Sequence, residues 1–319
     1  MIDLSIIILN FNTKSLLLDC IESALSGVEA SSRKLEHEVF VVDNGSSDGS
    51  AAAVRSAYPA VTTIALERNV GFAGGNNVAI ERARGRIVLL LNTDVILAPD
   101  AIEQGVAALE ASPNAGAAGV QLVHPDGRLQ NSIHSYPGVL QELVPSWLLE
   151  VVAPKRFPSK RRPPSETTEV EAVLGAVLFF KREIVDRIGL LPDAYFFFLE
   201  ETHWCWQMRK AGYSVLHVPA ARATHLSGAS SKKVDPVATR IEYHRSLYYF
   251  VRSNRGALCA VSVRSLRFIK ALVVVVPLAL LGSVSAKHKS RFHSARRLLA
   301  WHLAGCPASW GLSGSRGAV

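Results

Sequence analysis

Short apolar runs and amphipathic stretches take turns along the first hundred residues. LSIIIL (4–9), HEVFVVD (37–43), VTTIALE (61–67) and RIVLLLN (86–92) are runs of a length and composition that predict buried β-strands. Between and after them, 14–26, 49–58, 76–84 and 100–112 carry helical periodicity, the third entered through a glycine-rich turn. Strands alternating with helices predict a parallel sheet covered on both faces. Ligands of such sheets bind at the carboxyl ends of the strands. Those ends read Asn10-Phe11-Asn12, Asp43-Asn44, Glu67-Arg68-Asn69 and Asn92-Thr93-Asp94, so polar residues gather where a site belongs.

The pattern changes further on. PKRFPSKRRPPSETT (154–168) is rich in proline and positive charge and predicts a mobile loop, either closing over an anionic ligand or running free in solvent. ALVVVVPLALLGSVSA (271–286) is an uncharged apolar run of sixteen residues containing Pro277 and Gly282. A helix needs about 20 residues to cross a bilayer. Basic residues flank the run, Arg264, Arg267 and Lys270 before it and Lys287, Lys289, Arg291, Arg296 and Arg297 after it. A helix embedded in or dipping into one leaflet is expected, with a full crossing as a marginal alternative and a buried helix in an oligomer core as another.

Composition sharpens this picture. The 319 residues are 49% hydrophobic and 19% charged, with mean hydropathy +0.19 and a formal charge of +8. From Arg222 onward there are sixteen Lys/Arg against two acids, leaving nineteen basic and twenty-five acidic residues before it. A basic tail on an acidic body points to an anionic surface as partner. No aromatic–basic RNA motif or helix-turn-helix pattern supports nucleic acid, so a membrane surface is expected. Division is expected at 230, with a catalytic domain over 1–230 and a helical, membrane-associating region over 231–319. Cys20, Cys205, Cys259 and Cys306 form no CxxC pair, which argues against a disulfide framework or zinc ribbon. MIDLSIIILNFN lacks the basic start and long apolar run of an export signal. The expected location is the cytoplasmic face of the inner membrane. Oligomeric state is open.

Four stretches carry candidate chemistry. In VVDNGSSDGS (41–50) a strand delivers Asp43 to its carboxyl end, where a carboxylate can accept from a nucleobase N–H or a ribose hydroxyl. Ser47 or Asp48 there can simply cap the next helix. In ERNVGFAGGNNVAI (67–80), Gly71, Gly74 and Gly75 permit close backbone approach and Asn76-Asn77 open a helix, without the GK[ST] of a P-loop. In LLLNTDV (89–95), Asn92 and Asp94 share one face of an extended segment and offer oxygens suited to Mg²⁺ or Mn²⁺ on a phosphate substrate; alternatively Asp94 and Asp100 punctuate the next helix. In YFFFLEETHWCWQ (195–207), two carboxylates sit in an aromatic run with no Lys or Arg beside them.

In this order, with GAVLFFKREIVDRIGLLP (175–192) and RKAGYSVLHVPAARATHLSGAS (209–230), these stretches resemble family 2 glycosyltransferases of the GT-A fold, particularly the bacterial rhamnosyltransferase-like branch. The resemblance spans roughly residues 3–255. It implies an α/β, Rossmann-like fold and an inverting transfer of a sugar from a nucleotide diphosphate to an acceptor hydroxyl. It places Phe11 and Asp43 on the base, with Asn12, Arg68 and Asn69 nearby, and Gly71 and the Gly74–Asn77 stretch, Asn77 included, along the nucleotide. Asn92-x-Asp94 stands in for the family's DxD, so Asp94 would hold the divalent metal, completed by His225. Gly175-Ala176 would line the sugar cleft. Glu201 would be the general base and Glu200 its support. A dTDP-rhamnose donor is favoured by the branch, with UDP- or GDP-sugars as alternatives, and the acceptor would be a glycan or lipid-linked sugar.

Three departures from the family pattern matter. Asn92 replaces the first DxD carboxylate; Glu201 is one methylene longer than the usual aspartate; His203 stands at the next acidic position. His203 is therefore either a second proton acceptor or a hydrogen-bonding scaffold beside Trp204. Trp204 and Trp206 either pack or stack on a ligand, and Cys205 reads as a small buried residue. The rival reading is a nucleotide-sugar-binding protein with impaired catalysis.

Overall fold

The computed structural model describes residues 1–154, 156–159, 164–226, 235–281 and 286–312. In chain order the elements are β1 (Leu4–Asn10), α1 (Lys14–Ala30), β2 (His37–Asp43), α2 (Ser50–Ala57), β3 (Thr62–Ala65), α3 (Gly71–Ile80), β4 (Ile87–Asn92), β5 (Val95–Leu97), α4 (Ala101–Ala111), β6 (Ala115–Val123), β7 (Ile133–His134), α5 (Val139–Leu143), α6 (Ser146–Val152), β8 (Thr168–Glu169), β9 (Ala172–Val173), β10 (Val177–Lys181), α7 (Glu183–Ile188), α8 (Glu200–Lys210), β11 (Ser214–His225), α9 (Pro236–Arg255), α10 (Ala257–Leu281) and α11 (Ala286–Leu303). They form two units, one of Met1–Tyr136, Leu149–Tyr195 and Glu200–Ser230, the other of Pro137–Leu148, Phe196–Leu199 and Ser231–Val319. Two short segments, 137–148 and 196–199, thus group with the C-terminal residues, which a single cut at 230 does not foresee.

The first unit is built on a sheet of order β3-β2-β1-β4-β10-β6-β11-β5, with β8 added to β11. β3, β2, β1 and β4 run parallel, and so do β6 and β11; β10 enters antiparallel between β4 and β6. The interior of β1 and β4 is buried on both faces, which is why their sequences are nearly unbroken Ile, Leu and Val. Register sets the site. Asn10 lies opposite Asp43, and Leu9 opposite Asn92, so three carboxyl ends coincide. Because β10 runs the other way, it starts at that same edge, where the Asn92 amide donates to the Ala176 carbonyl (3.0 Å). The end of β11 pairs antiparallel with β5, His225 opposite Val95, which brings it beside Asp94.

Several sequence boundaries shift. The third helix begins at Gly71 and ends at Ile80, not 76–84, so the glycine-rich turn is itself helix. Gly75 suits its close approach to the sheet: a Cβ there would press on the tip of the Leu9 side chain of β1, which would have to shift. α1 runs on to Ala30, and β3 shortens to Thr62–Ala65. Of the loop expected over 154–168, residues 155 and 160–163 fall outside the described residues; Phe157 is buried, and Thr168 starts β8 by pairing with His217.

In the second unit, α9 opens on Asp235, whose carboxylate accepts from the Val237 amide (2.8 Å), with Pro236 at the first helical position. Val237, Ile241, Leu298 and Trp301 form its core. The buried Glu142 carboxylate of α5 bonds Arg267 (2.6 Å) and Lys270 (2.8 Å) of α10. The apolar run over 271–286 is the end of α10 and the first residue of α11, with 282–285 outside the described residues. Among the described residues no helix is long and apolar enough to cross a membrane.

Candidate active site

Asp43 is buried at the end of β2 and is held by Asn10, whose Nδ2 donates to its Oδ1 (3.0 Å) and to Ser46 Oγ (3.1 Å). Thr13 donates to Asn10 Oδ1 (2.8 Å), and the Thr13 and Thr93 hydroxyls are 2.8 Å apart. A hydrogen-bonded line therefore runs from Asp43 to the Asn92–Asp94 turn. Phe11 is half-buried beside it. The Asn12 side-chain carbonyl accepts from the Ser47 amide (2.9 Å), which ties the β1 and β2 loops together. Asp48 accepts from the Ser50 and Lys14 amides, a capping role.

The next loop is stitched by Asn44. Its Nδ2 donates to Asn69 Oδ1 (3.0 Å) and the Gly71 carbonyl (3.1 Å), and its Oδ1 accepts from the Val70 amide (2.9 Å). Gly45 has φ +78°, and a Cβ there would lie 2.7 Å from the Arg68 backbone. The loop after β2 thus rests directly on residues 68–69, leaving the Arg68 side chain exposed. Asn77 is engaged elsewhere: its amide exchanges two hydrogen bonds with the Leu191 backbone (2.8 and 3.1 Å).

Asp94 and His225 face each other, Nε2 to Oδ1 at 3.5 Å. Gln130 orients the ring. Its Nε2 donates to the His225 carbonyl (2.6 Å) and lies 2.9 Å from His124 Nδ1, which fixes its Oε1 as acceptor for His225 Nδ1 (2.9 Å). His225 Nδ1 therefore carries the proton. A cation, metal or proton, between Nε2 and the Asp94 carboxylate satisfies both. The pair fits a divalent ion that takes its remaining ligands from phosphate and water; among the described residues no cluster of three or more His, Cys, Asp or Glu is placed to hold one.

Glu201 lies in the first turn of α8, against Gly175, where a Cβ would come within 3.3 Å of its side chain. The carboxylate accepts backbone N–H bonds from Gly175, Thr202 and its own amide, yet burial pushes it up to about 7. Backbone links join it to the metal-side residues: Glu201 to Gly175, then Ala176 to Asn92. Glu200 is buried beside it. His203 is two residues on, so it does not share Glu201's helix face. It is buried, its Nδ1 is 2.9 Å from the Tyr195 hydroxyl, and burial lowers it below the usual imidazole range. Trp204 is fully buried and donates to the Gly189 carbonyl (3.1 Å), and Trp206 packs edge-on to Tyr136. The buried Cys205 thiol is pushed up to about 12.

Residues 5–189, more than half of the chain, match the family described as Glycosyl transferase family 2. The chain belongs to this family. The glycosyltransferase is 27% identical over 234 residues to the N-acetylglucosaminyl-diphospho-decaprenol L-rhamnosyltransferase of Mycobacterium tuberculosis, covering 68% of this chain and 75% of that protein. It is 24% identical over 256 residues to the low-salt glycan biosynthesis hexosyltransferase Agl10 of Haloferax volcanii, covering 79% and 74%. Among solved structures it is similar to the mannosyltransferase PcManGT of Pyrobaculum calidifontis in complex with GDP-Man and Mn²⁺, with TM-score 0.56, 18% identity and coverage of 96% and 81%. GalNAc-T7 with UDP, GalNAc and Mn²⁺ gives TM-score 0.55 at 17% identity, covering 80% of this chain and 51% of that one. These two share the GT-A fold with the glycosyltransferase, as its sheet and helices lead one to expect.

Sequence reading missed Asn10, Asn44, Gln130 and Tyr195 as organisers of this site. Asn10 and Asn44 had a signal, being polar residues buried at strand ends. Gln130 and Tyr195 had none, since their partners, His225 and His203, are set by folding.

Proposed function

We propose that this glycosyltransferase transfers a sugar with inversion from a nucleotide diphosphate, dTDP-rhamnose first among candidates, to a hydroxyl of a lipid-linked glycan. The carrying observation is Glu201, a buried carboxyl raised to about 7 at the sheet edge that also holds Asp94 and His225. A group with that affinity can take a proton from an acceptor hydroxyl near neutral pH. As the hydroxyl oxygen bonds to the anomeric carbon, its proton passes to Glu201, and the bond from that carbon to the diphosphate breaks with its electron pair on the leaving oxygen. Asp94 and His225 would hold Mg²⁺ or Mn²⁺ on the diphosphate, where the ion supplies charge neutralisation. Asp43, fixed by Asn10, would accept from the base or ribose. The rhamnosyl donor and the lipid-linked acceptor draw support from the mycobacterial relative, named as a rhamnosyltransferase acting on a diphospho-decaprenol-linked sugar.

The test is a panel of nucleotide sugars with a polyprenyl-diphosphate-linked acceptor, with and without Mg²⁺ or Mn²⁺, following nucleoside diphosphate release and acceptor product. Glu201→Gln should lower kcat by about 10²–10⁴-fold with donor affinity unchanged. A donor bound but never transferred would instead support the impaired binding protein.

A further inference from the structure

We propose that one face of α10 is a docking surface for an anionic lipid bilayer, on which the second unit lies without crossing it. Leu258, Val261, Ile269, Leu272, Val273 and Val276 recur at helical spacing on one side of α10, all more than two-fifths exposed. The 271–286 run accounts for only the last three. The structure extends the stripe back over about five helical turns, with Ser262, bonded to the Leu258 carbonyl, and exposed Ser265 the polar residues along it. A stripe of this length is more exposed apolar surface than the isolated residues normal on a soluble protein.

Charge selects the occupant. Neither α10 nor α11 contains a single Asp or Glu. Arg264 leaves α10 on one flank of the stripe; Lys270, on the other, is paired with Glu142, and Lys289, Arg291 and Arg296 are exposed on α11. Long basic side chains beside an apolar stripe suit a lipid interface, with stems in the apolar layer and charges at anionic headgroups. A second copy of this face would bring cation against cation. Since no described helix is long and apolar enough to cross a membrane, the stripe rests in the surface layer.

The experiment floats the full chain on vesicles of phosphatidylcholine alone or with about 30% phosphatidylglycerol, an anionic fraction chosen to give a strong surface potential. The chain should float with the anionic vesicles, less so as salt rises. Val273→Glu with Val276→Glu, and separately Leu258→Ser with Val261→Ser, should weaken partition at least tenfold with thermal midpoints unchanged, because the replaced side chains are exposed. Flotation that these variants do not alter would overturn the proposal. So would a chain that ignores vesicles, or one that sediments as a dimer which the same variants dissociate. No donor or acceptor enters the assay, so its outcome is separate from that of the transfer reaction.

Discussion

Glu201 concentrates the residue-scale chemistry. Burial outweighs three backbone hydrogen bonds and raises its carboxyl from about 4.5 to about 7. The base must be ionised to act, so kcat should rise with pH through about 7 and level off above it. The same shift has a stability cost. Between the ordinary and raised values the folded chain keeps a proton that the unfolded chain releases, so stability falls as pH rises through that window. Glu201→Gln should therefore raise the thermal midpoint more at pH 8 than at pH 5, while abolishing the acidic limb of kcat. A limb that survives in Glu201→Gln would move the base elsewhere. The sequence marked this glutamate because a carboxylate pair inside an aromatic run has no partner nearby. Its raised affinity was not legible, since the depth of burial that causes it is set only on folding.

At the scale of elements, the site depends on how loops are pinned. Gly45 sits at positive φ with the Arg68 backbone where a side chain would be. Gly45→Ala should destabilise the fold by about 1–3 kcal/mol and weaken nucleoside diphosphate binding, read by denaturation and calorimetry. Asp43 and Asn44 precede it directly and would shift with it. α8 begins under comparable constraint. Phe198 and Leu199 both have positive φ, 73° and 68°, immediately before Glu200. Tyr195 and His203, bonded to each other, bracket this stretch. His203 therefore reads as a clamp for the helix start. His203→Asn, which keeps a short polar partner for Tyr195, should retain kcat within about tenfold and leave the limb near 7 in place. Loss of that limb would make His203 the base. Neither the helix nor the clamp was legible: Glu200 to Cys205 are buried without a break, so no amphipathic period marks α8, and a bond across eight residues of irregular backbone follows no period.

The whole molecule carries buried neutral histidines in both units. His217 on β11 is fully buried with no hydrogen-bond partner for either ring nitrogen among the described residues, and burial lowers it to about 4; His244 on α9 is lowered to about 3 by burial, then by Arg267. The unfolded chain binds these protons from pH 6.5 downward and the folded chain does not. Stability should thus fall as pH drops from 6.5 toward 4, each group adding at most about 1.4 kcal/mol per pH unit. Denaturant midpoints at pH 7 and 5 measure this, and His217→Leu should narrow the gap. What the sequence determined by itself was local and periodic: buried parallel strands, the helices between them, polar residues at strand ends, and a basic C-terminal third. Those follow from neighbours along the chain, through strand pleat, helical pitch and the cost of burying charge. Tertiary structure decided what depends on distant partners. It turned a presumed glycine loop into a helix packed on Leu9, joined Gln130 to His225, brought Glu201 to the strand edge of Asn92 through the reversed β10, and exposed one face of α10. Each of these rests on which surfaces fold together, and no spacing along one chain encodes the depth of burial that results.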